Sequence, residues 1–274
     1  MFERIVAIVD GSPASDYAVG ASITVAREDA GELTFCVTVD PELSASGVGP
    51  TPLTELAMQL SRQMLHAALA RARASGVPHA TGQIVQAEPA RGVVAFARAQ
   101  RAGLIVLGLA PLAGVLRPFI SSLAEEIVHE TTIPLCVVRR PAQTTLRRRI
   151  LVPIVDDDLA RLGVSYAVRM AQYFRSMLLF CSFEDAAGER PAAQALSRAK
   201  EAAAAGGVAA EVLILPKDDG ISDAIVRNAD VHACDWIVMA THGRRGLPLL
   251  IEGSVTEAVI YASDVPVVIV RAPP

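Results

Sequence analysis

Short apolar runs alternate with segments of helical periodicity through the first half of the chain. The apolar runs predict strands at Ile5–Val9, Leu33–Val39, Gln83–Gln86, Leu104–Leu109 and Leu135–Arg139. The segments between them predict helices near Pro13–Asp29, Leu53–Gly76, Arg91–Arg101 and Leu123–Glu130. Ser12 is the expected N-cap of the first helix, with Pro13 in its first position, and Gly31 is expected to end it. This alternation is typical of a parallel sheet with helices on both faces.

The second half of the chain repeats the first. Three pairs of segments share one offset of 132 residues: Leu104–Gly108 with Trp236–Ala240, Ser121–Glu125 with Gly253–Glu257, and Ile133–Arg139 with Val265–Arg271. The first strands, Arg4–Asp10 and Arg149–Asp156, also correspond, at an offset of 145. We therefore expect two tandem, doubly wound α/β domains, each with a five-stranded, mostly parallel sheet. The domains are predicted at residues 1–140 and 149–274, joined by a linker at 141–148.

Composition and charge narrow the class of protein. Hydrophobic residues make up 52% of the chain, the net charge is −4, and no basic face is apparent, so we expect no nucleic-acid partner. No apolar stretch is long enough to suggest a membrane span, and no signal peptide is recognised. The four cysteines form no CxxC pair and lie mostly in apolar runs. They predict buried, reduced thiols in a cytoplasmic protein without a metal site.

The loop after the fourth strand of the second copy carries the strongest candidate chemistry. It begins Ala240-Thr241-His242-Gly243-Arg244 and continues to Gly253-Ser254-Val255-Thr256. Glycines allow a close approach of the backbone to a ligand, and a helix that starts after Gly253 would direct N–H groups at a phosphate. Ser254 and Thr256 add hydroxyl donors, and Arg244 adds positive charge.

These motifs resemble the universal stress protein family over essentially the whole chain. The family's phosphate motif is G-x2-G-x9-G-[ST], and Gly243 with Gly253-Ser254 fits it, followed by the terminal strand D-V-P-V-V-I-V-R. The resemblance implies a fold of the adenine-nucleotide alpha-hydrolase type and a bound adenine nucleotide, ATP with or without Mg²⁺. It also implies that the two copies pair through their terminal strands; a homodimer stays open.

Both copies depart from the family pattern. In the second copy Ala240 replaces the first motif glycine, Glu252 precedes Gly253, and the strand-one aspartate position is Val155, with Asp156 one residue late. A positive φ at position 240 would strain the backbone of an alanine. The first copy keeps Asp10, Gly108 and Ser122 but has Pro111 and Ser121 in place of the other two glycines. The predicted nucleotide site is therefore mainly in the second copy.

Simpler interpretations of the same residues stay open. Gly243 and Gly253 could be turn and cap glycines, and His242 could be a hydrogen-bonding loop residue. Asp156-Asp157-Asp158 could be a solvated acidic helix start, and Asp10 could close its own Asx turn.

The functional expectation is a stress-response regulatory protein that binds ATP or a related adenine nucleotide without fast catalysis. No catalytic motif is recognised, and no lysine lies near the glycine loop. One alternative is a nucleotide-free scaffold with decayed sites, which could hold an apolar ligand. Another is a slow ATPase that uses the Asp156 cluster and a metal.

Overall fold

The computed structural model divides the chain into two units, Phe2–Ala142 and Gln143–Pro274. None of the helices that the structure describes combines the length and apolar character needed to span a bilayer. The described residues are 2–28, 30–40, 51–109, 123, 126–127, 130–141, 148–154, 157–184, 191–216, 220–241 and 255–272.

The first unit alternates strands with helices as expected. Its elements are β1 (Arg4–Ile8), α1 (Pro13–Glu28), β2 (Glu32–Val39), α2 (Pro52–Ala74), β3 (Thr81–Gln86), α3 (Pro89–Ala99), β4 (Leu104–Gly108) and β5 (Leu135–Val138). The described residues between Leu123 and Glu130 are also helical. The strands lie in the order β3-β2-β1-β4-β5, and every pair is parallel.

The second unit repeats this topology. Its elements are β6 (Arg149–Pro153), α4 (Asp157–Phe174), β7 (Met177–Glu184), α5 (Pro191–Ala205), β8 (Ala210–Pro216), α6 (Ile221–Val231), β9 (Trp236–Thr241), α7 (Val255–Ala262) and β10 (Val267–Arg271). The strand order is β8-β7-β6-β9-β10, again entirely parallel. The prediction of two tandem α/β domains with parallel sheets is confirmed.

The sheet cores consist mainly of aliphatic side chains, since aromatic residues are only 4% of the chain, although Phe35 and Phe180 are fully buried in β2 and β7. All residues of β5 and β10 are buried, and β1, β4 and β6 are exposed only at their ends. The single tryptophan, Trp236, is 2% exposed in β9 and stacks on Phe174 of α4 at a centroid distance of 5.5 Å. Its fluorescence therefore reports on the second unit alone.

Helix α1 begins as predicted and ends differently. The Ser12 hydroxyl accepts a hydrogen bond from the Ser15 N–H at 3.1 Å, which confirms the N-cap. At the other end the left-handed residue is Ala30, with φ +49°, and not Gly31. Gly31 lacks a side chain for another reason: a Cβ there would lie 2.6 Å from the Phe2 carbonyl oxygen.

The same C-terminal cap closes all six of the helices α1–α6. In each, a residue with positive φ follows the helix, and the next N–H bonds an alanine carbonyl five residues earlier. The positive-φ residues are Ala30, Gly76, Arg101, Arg175, Gly207 and Ala233. Four of these six residues carry a side chain in a conformation that favours glycine.

Substitutions at two of these caps, both in the second unit, should change the free energy of unfolding in opposite directions. A Cβ on Gly207 would meet nothing within 4 Å, so Gly207→Ala introduces only the left-handed strain and should cost about 1 kcal/mol. Ala233→Gly removes the same strain and should stabilise by roughly 0.5 kcal/mol. Urea unfolding followed through Trp236 measures both. Equal midpoints for the two variants would contradict this assignment of the caps.

Candidate functional site

Those predicted site residues that the structure describes lie near the point where the strand order of each sheet reverses. This reversal lies between β1 and β4 in the first unit and between β6 and β9 in the second. Ligands of such sheets bind at the carboxyl ends of the two strands. Asp10 follows β1, and Gly108 ends β4. Ala240 lies near the end of β9, while Val255 and Thr256 begin α7 and are half-buried.

The other candidates lie outside the described residues. In the second unit these are Val155, Asp156, His242, Gly243, Arg244, Gly253 and Ser254; in the first unit they are Ser121 and Ser122. Their roles stay predictions.

In the first unit, the turn after β1 is closed by its own carboxylate and has a methionine of α2 beside it, while Asp10 and Gly11 stay exposed. The Asp10 carboxylate accepts the Ser12 N–H at 2.8 Å, which is an Asx turn. Gly11 has φ +78°, and a Cβ there would lie 2.8 Å from the Met64 sulfur of α2. The sequence did not single out Met64, whose side chain occupies the space beside this turn.

The end of β4 is closed by the first turn of α1. A Cβ on Gly108 would lie 2.0 Å from the Ala14 carbonyl oxygen and 2.7 Å from the Ser15 nitrogen. These distances are far below van der Waals contact, and both atoms belong to the backbone. Gly108 therefore serves the packing of α1 against β4, and the helix leaves no room for a side chain at this strand end.

In the second unit, the equivalent strand end accommodates a side chain. Ala240 lies in β9 and pairs with Val270 of β10. It is not among the described non-glycine residues with positive φ. A Cβ added to Gly163 of α4 would still lie 3.4 Å from the Ala240 Cβ, an ordinary contact. Helix α4 therefore leaves room at Ala240 that α1 does not leave at Gly108.

The methyl group of Ala240 also points away from the expected phosphate position. It faces α4, as its neighbour Gly163 shows. Helix α7 connects β9 to β10, and right-handed crossovers place it on the face opposite α4. The alanine at this motif position therefore does not intrude on the N-terminus of α7.

The methionine beside the first unit's turn has no large counterpart in the second. The buried residues Leu65 and Ala72 of α2 correspond to Leu196 and Ala203 of α5, and the same alignment matches Met64 with Ala195. Ala195 is buried and small. A comparison of the two helices at this offset is the sequence signal that distinguishes the two strand-one turns.

Cysteine chemistry is absent from the site. All four cysteines are buried and free, as predicted from the sequence. Burial raises the pKa of Cys36 and Cys181 to about 12 and that of Cys234 to about 11, with Arg149 partly opposing the last shift. Burial also raises the pKa of Cys136. Within the described ranges, no group of three or more His, Cys, Asp or Glu side chains could hold a metal.

The buried thiols predict low reactivity and a pH-dependent stability. A thiol-specific reagent at pH 8 should modify none of the four rapidly in the folded protein and all four in urea. The pKa values of these thiols in the folded protein lie above the ordinary 9.0. Their contribution to the stability of the folded state is therefore fully present below pH 9. The free energy of unfolding should then fall as pH rises toward 11–12, by up to about 1.4 kcal/mol per unit per thiol. Rapid labelling of a native thiol would contradict the burial.

Comparison with known proteins gives two family matches in this chain. The model of the Universal stress protein family matches residues 1–139 and again residues 146–271. A universal stress protein of Methanocaldococcus jannaschii is 29% identical over 144 residues, covering 52% of this chain and 84% of that protein. One from Thermus aquaticus is 29% identical over 142 residues, covering 51% of this chain and all of that protein.

A solved structure matches the full length. The crystal structure of a universal stress protein from Archaeoglobus fulgidus covers 99% of each chain with a TM-score of 0.80, at 16% identity. At that identity the likeness concerns the fold. Together with the two family matches, it shows that this chain belongs to the universal stress protein family, with one family domain in each half.

Proposed function

We propose that this protein is a cytoplasmic stress-response regulator that binds ATP or a related adenine nucleotide in its second unit. The observation that carries the proposal is the start of α7 at Val255, directly after the phosphate motif in the loop that follows β9. Ala240 at the first motif position does not obstruct this site, because its methyl group faces α4 and α7 lies on the opposite face of the sheet. Ligands of such sheets bind at the carboxyl ends of these strands.

The sequence of the second unit supplies the matching groups. Gly243 and Gly253-Ser254 keep the phosphate motif, and α7 begins directly after them at Val255. A helix N-terminus favours an anion because its first N–H groups and its dipole both point toward the ligand. Thr256, in the first turn of α7, adds a hydroxyl donor.

The first unit acts in this proposal as a nucleotide-free structural partner. Its loop sequence has Pro111 and Ser121 in place of two of the motif glycines. Slow regulatory binding fits the second unit better than catalysis, since no lysine accompanies the glycine loop to stabilise a leaving phosphate.

Thermal unfolding with and without nucleotide tests this function. Mg-ATP at about 100 times its Kd should stabilise the second unit by about 2.7 kcal/mol, seen as a later transition of Trp236 fluorescence. The same samples are analysed for ADP. A shift without ADP supports a binding protein, ADP formation with time would indicate the slow ATPase, and no shift with any adenine nucleotide would favour the scaffold.

A further inference from the structure

Helix α2 of the first unit exposes a mostly apolar stripe along its length, interrupted at the centre by Gln63. Leu53, Leu56 and Leu60 are 56%, 51% and 46% exposed. The helix contacts the sheet through a different face, whose buried residues are Thr54, Ser61, Leu65, Ala68 and Ala72. The leucines whose spacing predicted this helix are therefore not the residues that anchor it.

The exposed stripe has heptad spacing. Its positions alternate by three and four residues, and all of them are exposed: Leu53, Leu56, Leu60, Gln63, Ala67, Ala70 and Ala74. This is the spacing with which one helix packs along another in a coiled coil. The three large residues occupy the N-terminal half of the helix, and the three small ones occupy the C-terminal half.

The equivalent helix of the second unit does not need this stripe. Helix α5 begins at Pro191, which corresponds to Leu60, so the first two turns of α2 have no helical counterpart among the described residues. The positions of Ala67 and Ala70 are taken in α5 by Arg198 and Glu201, both exposed. The same fold thus carries ordinary charged residues where α2 presents small ones.

We infer that the stripe of α2 is the contact surface for a second copy of this chain, packed antiparallel about a twofold axis. In that arrangement Leu53 lies level with Ala70 of the second copy and Leu56 with Ala67, so large residues meet small ones at both ends, while Leu60 lies level with Gln63 at the centre. A parallel pair would place leucine against leucine at one end and alanine against alanine at the other, which separates the helices.

The charges at the two ends of α2 also favour antiparallel packing. The first turn of α2 carries Glu55, and its last turn carries Arg71 and Arg73. Antiparallel packing brings the acidic end of each helix to the basic end of the other, and it also opposes the two helix dipoles favourably. Arg71 also donates a hydrogen bond to the Asp16 carbonyl oxygen at 2.8 Å within its own unit.

The contact area that α2 offers sets the expected affinity of the dimer. A 23-residue helix is about 34 Å long, and a contact about 10 Å wide covers roughly 340 Å² per copy. Stable interfaces bury about 800 Å² per partner, so a contact of less than half that area is expected to form a weak dimer that dissociates on dilution. The dimer is independent of the nucleotide site, which lies in the other unit.

Sedimentation velocity from about 5 to 300 µM tests the inference on the full chain. The wild type should shift from monomer to dimer, and Leu56→Glu should weaken the dimer at least about tenfold because it places a charge in the seam. Val231→Glu is the matched control: Val231 is 72% exposed on α6 of the second unit and should leave the dimer unchanged. A monomeric wild type, or a Leu56→Glu variant that dimerises equally, would overturn the inference.

Cross-linking determines the direction of packing. The native thiols are buried, so a short bismaleimide should react selectively with a single introduced cysteine. Gln63→Cys lies next to the twofold axis and should cross-link efficiently. Leu53→Cys should not, because the two copies of that position are about 25 Å apart in an antiparallel pair. Efficient cross-linking of Leu53→Cys instead would refute the antiparallel arrangement.

Discussion

Replacing Gly108 with alanine is expected to destabilise the first unit by at least about 3 kcal/mol. The added Cβ would lie 2.0 Å from the Ala14 carbonyl oxygen and 2.2 Å from its carbonyl carbon, and these backbone atoms have no rotamer that avoids it. Helix α1 must therefore shift away from β4. Urea unfolding should show an early loss of far-UV circular dichroism while Trp236, in the second unit, still reports a folded environment.

Gly163→Ala is the matched control for this substitution. It adds the same methyl group to the helix that packs on the equivalent strand of the second unit, where the nearest atom is the Ala240 Cβ at 3.4 Å. We expect a change within about 0.5 kcal/mol, since a better helix propensity offsets a close contact. Similar losses for both variants would contradict the conclusion that the two strand ends differ.

Gly253→Asp is expected to abolish the stabilisation by ATP while the protein stays folded. A carboxylate at this position would repel the phosphates that the start of α7 is proposed to hold, and like charges at a binding site cost several kcal/mol. The affinity should fall at least about 100-fold. Isothermal titration calorimetry measures the loss, and the unfolding midpoint without nucleotide shows that the fold survives.

Ser121→Asp provides the control in the first unit, because Ser121 corresponds to Gly253 in the repeat. Under the proposed function this substitution should leave the affinity unchanged. If Ser121→Asp abolished binding and Gly253→Asp did not, the nucleotide would belong to the first unit. Unchanged binding in both variants would place the ligand away from the phosphate motif.

The repeat and the alternation of elements could be predicted because both are local patterns. Apolar runs such as Leu104–Gly108 and Trp236–Ala240 share one offset, and a parallel sheet follows from strand–helix alternation. The cap of α1 was misplaced by one residue because glycine is the usual left-handed residue. In the structure Ala30 takes that conformation, and Gly31 is required by the close approach of the Phe2 backbone.

The candidate site could be predicted only in part, since its remaining features depend on contacts between distant residues. Gly108 contacts the backbone of Ala14, and Met64 lies beside Gly11. Predicting such contacts requires knowing where each helix crosses the sheet. Spacing alone also cannot tell which face of α2 is buried. The face with Thr54, Ser61 and Leu65 packs inward, while Leu53 and Leu56 lie outside.

The number of adenine nucleotides bound per chain tests the central claim most directly. The purified protein is saturated with ATP, freed of unbound ligand by rapid desalting or studied by equilibrium dialysis, then denatured, and the released nucleotide is quantified. We predict one nucleotide per chain, and none for Gly253→Asp. Two per chain would contradict the proposal that the first unit is nucleotide-free, and none in the wild type would contradict nucleotide binding by the second unit.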